Sequence, residues 1–242
     1  QVIERLAENG PMGIMDLSAE LGFHKSTTHR LVTSLQYMGY IRQDEESLKY
    51  ALSLKFLEIG SKILEQTNMA SLIHPSLKKL SEQTGETVHL VRREGTEAVY
   101  IDKVESTVSS IRMVSRVGSR IPLYCSGVGK ALLAELPDPE IEDIWNSSEI
   151  TSLTPYTVTS LSDLMDRIRG VREAGYAMDD EENEEGVRCI AVSIPDYHKE
   201  PVYALSISAP VSRMTDARIA ELSTDVLTFK KDLEKTLGFS RS

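Results

Sequence analysis

The sequence IMDLSAELGFHKSTTHRLVTSLQYMGYIRQ, residues 14–43, predicts two helices joined by a sharp turn. Gly22 falls at the turn, where a residue that tolerates a positive φ is easiest to accommodate. The apolar pattern predicts side chains buried between the two helices, namely Leu17, Leu21, Phe23 and Leu31. The spacing i, i+3, i+4, i+7 also gives the second helix an inward face, made of Thr28, Leu31, Val32 and Leu35. A helix-turn-helix of this kind is typical of proteins that place one helix in the major groove of DNA.

The outward face of the second helix carries short polar and basic side chains, which suit hydrogen bonds to phosphates and base edges. Residues 21–43 contain Lys25, Arg30 and Arg42 but no Asp or Glu, in a chain with 37 acidic residues. This charge pattern favours a DNA interface over an ordinary helical hairpin. The residues of the helix expected to contact DNA are Lys25, Ser26, Thr27, His29, Arg30 and Ser34.

A β-hairpin is predicted directly after the second helix, with strands at 40–43 and 48–52 joined by 44–47. A hairpin in this position is a wing, and Arg42 and Lys49 are its candidate contacts to DNA. Its acidic tip, residues 44–46, would be repelled by phosphate, so we do not expect the wing to insert deeply.

The bulk composition sets limits on these interpretations. The net charge is −10, and residues 1–60 carry six basic and eight acidic residues, so a DNA contact must be a local face rather than a basic domain. Cys125 and Cys189 are far apart and form no disulfide framework, which favours a reducing cytoplasm. The sequence shows no signal peptide and no long apolar run, so we expect neither secretion nor a membrane span.

The chain is long enough for two domains and a connecting segment. We expect a winged helix-turn-helix domain at 1–51, a linker helix at 52–68 and a further domain at 69–242. The linker has an apolar seam that packs either on its own domain or on a partner subunit; the seam consists of Leu52, Phe56, Ile59 and Ile63. Because helix-turn-helix proteins usually bind paired half-sites, a homodimer is expected.

The pattern of strands and helices predicted after residue 69 is typical of an α+β domain. Alternating patterns predict strands of a half-exposed antiparallel sheet at 87–92, 98–104, 109–114, 188–194 and 202–208. Helices are predicted up to Gly85, with the apolar face Ile73, Leu77 and Leu80, and at 127–135, 162–173 and 215–237.

Three motifs occur in order along the chain: LGFHKSTTHRLVTSLQYMGYI at 21–41, GSRIPLYCSGVGKALLA at 118–134, and GYAMDDEENEEGVRCIAVSI at 175–194 followed by PVYALSISAP at 201–210. Together they resemble the IclR family of bacterial transcriptional regulators, over essentially the whole chain. The resemblance implies a winged helix-turn-helix, a linker helix and a GAF-like effector-binding domain with an antiparallel sheet and flanking helices. It also implies a double-stranded DNA operator, a small carboxylate or keto-acid effector, and homodimers or dimers of dimers.

The resemblance places the effector pocket on Met113, Ile121, Ser126, Gly127, Val128, Asp179, Cys189, Ser206 and Ser208. The residues themselves leave alternatives open. Ser126-Gly127-Val128 could offer free N–H groups to a carboxylate or be a plain helix cap. Asp179 could bind an effector or lie in a solvated acidic turn, and Ser206 and Ser208 share one strand face that is either buried or exposed.

An enzyme is the main alternative. Cys125 or Cys189 could be a nucleophile with His89 or His198 as its base, or the cysteines and His198 could bind a metal. The sequence lacks the spacings that identify such sites, so no catalytic residue, metal or cofactor is expected. A sensor that signals to a protein partner is a further alternative. The resemblance favours a ligand-responsive regulator over both.

Overall fold

The computed structural model describes residues 1–66, 69–106, 114–196 and 200–237. The chain forms two compact units, residues 1–68 and 69–242. None of the described helices combines the length and the apolar character needed to cross a bilayer.

The first unit contains four helices and a two-stranded hairpin within its described part. The elements are α1 Val2–Asn9, α2 Ile14–Leu21, α3 Lys25–Tyr37, β1 Ile41–Gln43, β2 Tyr50–Leu52 and α4 Lys55–Gln66. Gly22 ends α2 in the left-handed conformation, with φ 64°. Its N–H donates to the carbonyl of Ala19 at 3.2 Å, and the N–H of Phe23 donates to the carbonyl of Ser18 at 3.1 Å. The predicted turn between the two helices is therefore confirmed, and the second of them begins three residues later.

The core of the first unit differs from the prediction at two positions. Leu17 and Val32 are buried as expected, and so is the polar Thr28. Phe23 and Leu31 are 38% and 40% exposed, so their predicted burial is wrong. Phe23 follows the left-handed Gly22 and belongs to neither helix, and Leu31 lies about 100° around the helix from the buried Val32.

The hairpin is shorter than predicted. Ile41 pairs with Leu52 and Gln43 with Tyr50, so Lys49 lies in the connecting loop rather than in a strand. Tyr50 also exchanges two backbone hydrogen bonds with Met12, at 3.0 and 2.8 Å. These bonds fasten the wing to the segment between α1 and α2.

The linker helix begins at Lys55, so Leu52 ends a strand and is not part of the predicted helical seam. Phe56 packs on Tyr40 of its own unit, with ring centroids 5.4 Å apart, and the ammonium of Lys55 lies 4.4 Å from the centre of the same ring. Phe56 therefore packs on its own domain, which is one of the two alternatives that the sequence left open. The side chain of Ile63 lies outside the described part of the chain.

The second unit is an α+β domain built on an antiparallel sheet. Its strands are β3 Thr87–Glu94, β4 Glu97–Val104, β5 Arg120–Pro122, β6 Ala177–Asp180, β7 Val187–Ile194 and β8 Tyr203–Pro210. The strand order is β5-β4-β3-β8-β7-β6. Its helices are α5 Met69–Thr84, α6 Gly127–Leu133, α7 Asp138–Asn146, α8 Leu161–Ala174 and α9 Asp216–Thr236. The predicted α+β class is confirmed; α7 was not predicted, and of the predicted strand 109–114 only Val114 is described.

The sheet is covered on both faces, so its predicted half-exposure is wrong. Large aliphatic side chains on one face, such as Leu90, Ile190 and Ile207, pack with α5 and α9. The other face carries small residues, and the side chains of α6, α7 and α8 pack on it. The polar residues in the alternating pattern therefore point into the protein rather than into water.

Close backbone approach fixes α6 on this second face. A Cβ on Gly129 would overlap the backbone of Leu123, whereas a Cβ on Gly127 would lie 3.5 Å from the Cβ of Ala191 in β7. The hydroxyl of Ser126 caps the helix by accepting the N–H of Gly129 at 3.1 Å and donates to the carbonyl of Pro122 at 2.6 Å. Position 129 therefore has no room for a side chain.

We expect Gly129→Ala to lower the free energy of unfolding by about 1–3 kcal/mol or more, because the added methyl group must displace backbone. Denaturant unfolding followed by circular dichroism measures this loss. Gly170→Ala is the matched control, since α8 leaves open space there and alanine is the better helix former by about 1 kcal/mol. Equal stability of the two variants would contradict the close approach.

Candidate functional site

The predicted DNA-contact residues of α3 and of the wing are all exposed. Within the described residues, no carboxylate forms an ion pair with Lys25, Arg30, Arg42 or Lys49, so their charges are available to a partner. Ser34 donates its hydroxyl to the carbonyl of Arg30 at 2.9 Å, as exposed helical serines do. The first unit thus presents one basic, polar helix face to solvent.

The tip of the wing is held in an ionised, folded form. The carboxylate of Asp44 accepts the backbone N–H of Ser47 at 2.8 Å and its hydroxyl at 2.7 Å. These hydrogen bonds hold the pKa of Asp44 below its ordinary value. The negative tip therefore remains charged, which agrees with the expectation that the wing does not insert deeply.

The predicted effector residues of the sheet lie on one face. Strand register places Asp179 opposite Cys189, and Cys189 opposite Ser208. Ser206 lies one step along the same face of β8, and Ser206 and Ser208 are 4% and 3% exposed. A Cβ on Gly127 would lie 3.4 Å from the N atom of Asp179, so the start of α6 covers this row. The structure therefore brings the sheet residues and Gly127 together, and the exposed alternative for the two serines is wrong.

His89 belongs to this polar row, although the sequence named it only as a possible catalytic base. Its Nδ1 lies 3.4 Å from Ser206 Oγ and 3.3 Å from Ser208 Oγ, and its Nε2 lies 2.8 Å from Ser115 Oγ. Burial, reinforced by the charge of Lys103, lowers the pKa of His89 to about 3. The imidazole is therefore neutral, and it can donate from one nitrogen and accept at the other.

Asp179 is buried, so the alternative of a solvated acidic turn is wrong. Its Oδ1 accepts the N–H of Glu182 at 2.8 Å and that of Asn183 at 3.4 Å. The pKa of Asp179 is raised to about 7, chiefly by burial; Lys130 opposes this shift and the nearby Glu182 adds to it. Near neutral pH this carboxyl exists in both forms and can either donate or accept a hydrogen bond.

The remaining predicted pocket residues have different environments. Ile121 and Val128 belong to the apolar core on this face of the sheet, and the hydroxyl of Ser126 is used by the α6 cap. The N–H groups of Gly127 and Val128 have no hydrogen-bond partner in the described part of the chain. Met113 lies outside the described residues.

The cysteines lack the environment of a nucleophile. Burial raises the pKa of the Cys125 thiol to about 12 and also raises that of Cys189. A catalytic cysteine needs the opposite shift, since the thiolate is the nucleophile. His198, its other candidate base, lies outside the described residues. Over the described ranges, no three His, Cys, Asp or Glu side chains group closely enough to hold a metal ion.

Two family models match the chain. The model of the IclR helix-turn-helix domain matches residues 1–45, and that of the bacterial transcriptional regulator IclR C-terminal domain matches residues 61–234. The chain belongs to the IclR family. It is therefore a DNA-binding transcriptional regulator rather than an enzyme, and the cysteine-enzyme alternative is wrong.

Relatives within the IclR family are similar over most of their length. The acetate operon repressor of Salmonella typhimurium is 36% identical over 244 residues, covering 100% of this chain and 89% of the relative. The regulator KdgR of Escherichia coli is 35% identical, covering 98% of this chain and 90% of the relative. Among solved structures, the IclR protein of Thermotoga maritima is 32% identical with a TM-score of 0.67, covering 98% of this chain and 96% of that one.

The carboxyl of Asp179 should make stability fall as pH rises. Its pKa is about 7 in the folded protein, against an ordinary value of 3.8, so the folded state binds more protons between these values. Asp179→Asn should therefore raise the free energy of unfolding, relative to the parent, by up to about 4 kcal/mol near pH 8 and by little near pH 4. Urea unfolding across this pH range gives the difference.

The variant-minus-parent difference is the quantity to compare, because His89 contributes the opposite slope to both proteins between pH of about 3 and 6.5. Asp180→Asn is the matched control. Arg188 holds the pKa of Asp180 down, through an Nε–Oδ1 contact of 2.5 Å. Removing the Asp180 charge should lower stability at neutral pH, and that loss should fade in acid. The same sign for both variants would contradict the assigned environments.

Proposed function

We propose that this chain is a ligand-responsive transcriptional repressor. The first unit binds a double-stranded DNA operator, and the second binds a small carboxylate or keto acid that sets operator affinity. The observation that supports this proposal is the buried polar row on the sheet. A histidine, an aspartate and two serines on one buried face need hydrogen-bond partners, which a polar ligand can supply. Several relatives are named repressors, which supports repression as the effect on transcription.

The α3 face reads the operator from the major groove. Arg30 is the base or phosphate reader, because a guanidinium forms two parallel hydrogen bonds with guanine O6 and N7 or with a phosphate. Lys25 and Ser26 at the start of the helix anchor phosphates, and Arg42 and Lys49 add contacts from the wing. The acid-free character of this face supports the assignment.

We expect Arg30→Ala to weaken binding to the specific operator by about tenfold to a hundredfold, since a bidentate base contact contributes about 1–3 kcal/mol of discrimination. The operator is obtained by selection from a random DNA pool, and gel shifts at one fixed salt concentration compare it with unrelated DNA. Unchanged preference for the selected operator would refute the role of α3.

Two matched variants separate base reading from general charge. Lys25→Ala should weaken specific and unrelated DNA alike, as the loss of a phosphate contact does. Arg5→Ala removes the same charge from α1, where Arg5 pairs with Glu8 at 2.9 Å, and should change neither affinity much.

The effector pocket suits a small oxygen-rich acid. His89, Ser206 and Ser208 offer rotatable or tautomeric donors, and Asp179 near its pKa can donate as well as accept. The N–H groups of Gly127 and Val128 add donors for a carboxylate. A pocket with these groups binds a carboxylate or keto oxygen, and its apolar wall limits the size of the carbon chain.

The proposed regulator also forms a homodimer. Large apolar side chains of the first unit are exposed, including Tyr37 at 92%, Leu54 at 78% and Leu57 at 70%. An exposed set of this kind is typical of an interface, and a homodimer would bring two α3 helices to paired half-sites. Dimers of dimers are a further step of the same proposal. Unpaired cysteines agree with a reducing cytoplasm.

An effector can change operator affinity only if it binds one conformation of the dimer more tightly than another. We expect a thermal-shift screen of small carboxylic and keto acids to give hits that raise the melting temperature and change the operator gel shift. Ser206→Ala and Ser208→Ala should reduce both responses. Ser223→Ala, on the exposed face of α9, is the matched control and should retain them. Hits whose effect survives both pocket variants would place the effector elsewhere.

A further inference from the structure

A second polar site lies at the free edge of the sheet, where β6 meets α8. A cleft of about 440 Å³ opens there, and we call it the α8 cleft. Its wall is apolar at Val171, Ala174 and Met178, and its charged lining residues are Lys130, Asp166, Arg167, Asp180 and Glu182. The cleft is separate from the buried polar row on the sheet, since His89, Cys189, Ser206 and Ser208 do not line the cleft.

The α8 cleft contains a buried ion pair with one carboxylate oxygen left over. The ammonium of Lys130 contacts Glu182 Oε1, and the two side chains are 1% and 4% exposed. Glu182 Oε2 is buried and has no hydrogen-bond partner among the described residues. Every other buried side-chain nitrogen or oxygen of those residues has a partner. A buried acceptor left without a hydrogen bond is destabilising, so a donor is expected to reach it.

Some of the charged side chains that line the cleft are already paired with other residues and are not available to a ligand. Asp166 pairs with Arg169, and Asp180 pairs with Arg188, so both carboxylates are already satisfied. Arg167 forms no ion pair within the described ranges, and it lines the cleft as an exposed cation. Among the charged side chains that line the cleft, the unsatisfied groups are therefore one cation, Arg167, and one acceptor, Glu182 Oε2.

The chemistry of these two groups selects a ligand class. Arg167 favours a carboxylate, which a guanidinium can bind through two hydrogen bonds. Glu182 Oε2 needs a donor, and a hydroxyl suits it better than an ammonium because Lys130 already neutralises the carboxylate and would repel a second cation. We propose that the α8 cleft binds a small hydroxycarboxylate, whose carboxylate pairs with Arg167 and whose hydroxyl donates to Glu182 Oε2. This site does not depend on the proposed effector pocket.

The cleft and the polar row are connected through the turn that contains Asp179 and Glu182. The N–H of Glu182 donates to Asp179 Oδ1, while the hydroxyl of Thr157 donates to the carbonyl of Glu182 at 2.6 Å. A ligand in the α8 cleft therefore contacts the residue that fixes the Asp179 carboxyl. A test must consequently locate the ligand rather than only detect it.

Met178 supplies the local probe, since it lines the cleft. The full chain is labelled with methyl-¹³C methionine, and the Met178 signal is assigned with Met178→Leu. Sodium L-lactate should shift this signal in a saturable manner. Propionate, which differs by the missing hydroxyl, should bind about tenfold more weakly, equivalent to about 1.4 kcal/mol.

Variants at one glycine decide where the lactate binds. A Cβ on Gly170 meets nothing within 4 Å, so Gly170→Ala should keep the lactate response. Gly170→Leu places a larger side chain in the cleft while Lys130 and Glu182 remain as they are in the sequence, and it should abolish the lactate response. Arg167→Ala should weaken lactate and propionate alike, and Ser206→Ala should leave the Met178 response in place.

The proposal is overturned by any of three results. These are no Met178 shift with lactate, equal affinity for lactate and propionate, and a lactate response that survives Gly170→Leu. A response lost in Ser206→Ala but kept in Gly170→Leu would assign the lactate to the effector pocket and also overturn it. Failure here leaves the DNA assignment untouched, because none of these readouts involves the operator, and no outcome contradicts the proposed effector pocket.

Discussion

Both faces of the six-stranded sheet are covered by helices, and the chemistry of the second unit follows from this constraint. A sheet with one wet face would leave its alternate polar residues in water with ordinary pKa values. Here the same alternation buries them, which raises the pKa of the Asp179 carboxyl and lowers that of the His89 imidazole. Burial favours the neutral form of each group, so the row is rich in hydrogen-bonding groups and poor in fixed charge.

The short helix α6 connects the packing of this domain to its chemistry. Gly129 lets the helix rest on the Leu123 backbone, and Gly127 brings its first residue against Asp179. One turn further, Lys130 enters the interior and pairs with Glu182. A buried pair of this kind is costly to break, because removing one partner leaves the other charge uncompensated. Residues of this one helix thus fix its position and cover the polar row, and Lys130 also lines the α8 cleft.

In the first unit, the distribution of charge explains how an acidic chain can present a face suited to DNA. Its basic residues do not outnumber its acidic ones, but α3 and the strand after it are free of carboxylates. The acids of the wing collect at its tip, where Asp44 stays ionised. In the proposed complex with DNA, repulsion at the tip and attraction along α3 would orient the unit, and affinity for phosphate would depend strongly on salt.

The sequence by itself determined the features that depend on neighbouring residues. Helical periodicity located α3, α5, α8 and α9 to within a few residues, and Gly22 marked the turn that its positive φ confirms. The exposed basic face of α3 also followed from local spacing. The motif order identified the family, and through it the fold of both units.

Only the tertiary structure decided which residues meet across long stretches of chain. His89 joins Ser206 from 117 residues away, and Lys130 joins Glu182 from 52 residues away. Burial also depended on distant elements: Leu31 fits the helical spacing but remains exposed, and Asp179 sits in an acidic run but is buried. Periodicity reports which side of an element a residue occupies. What covers that side is set by strand order and helix packing, and these are properties of the whole chain.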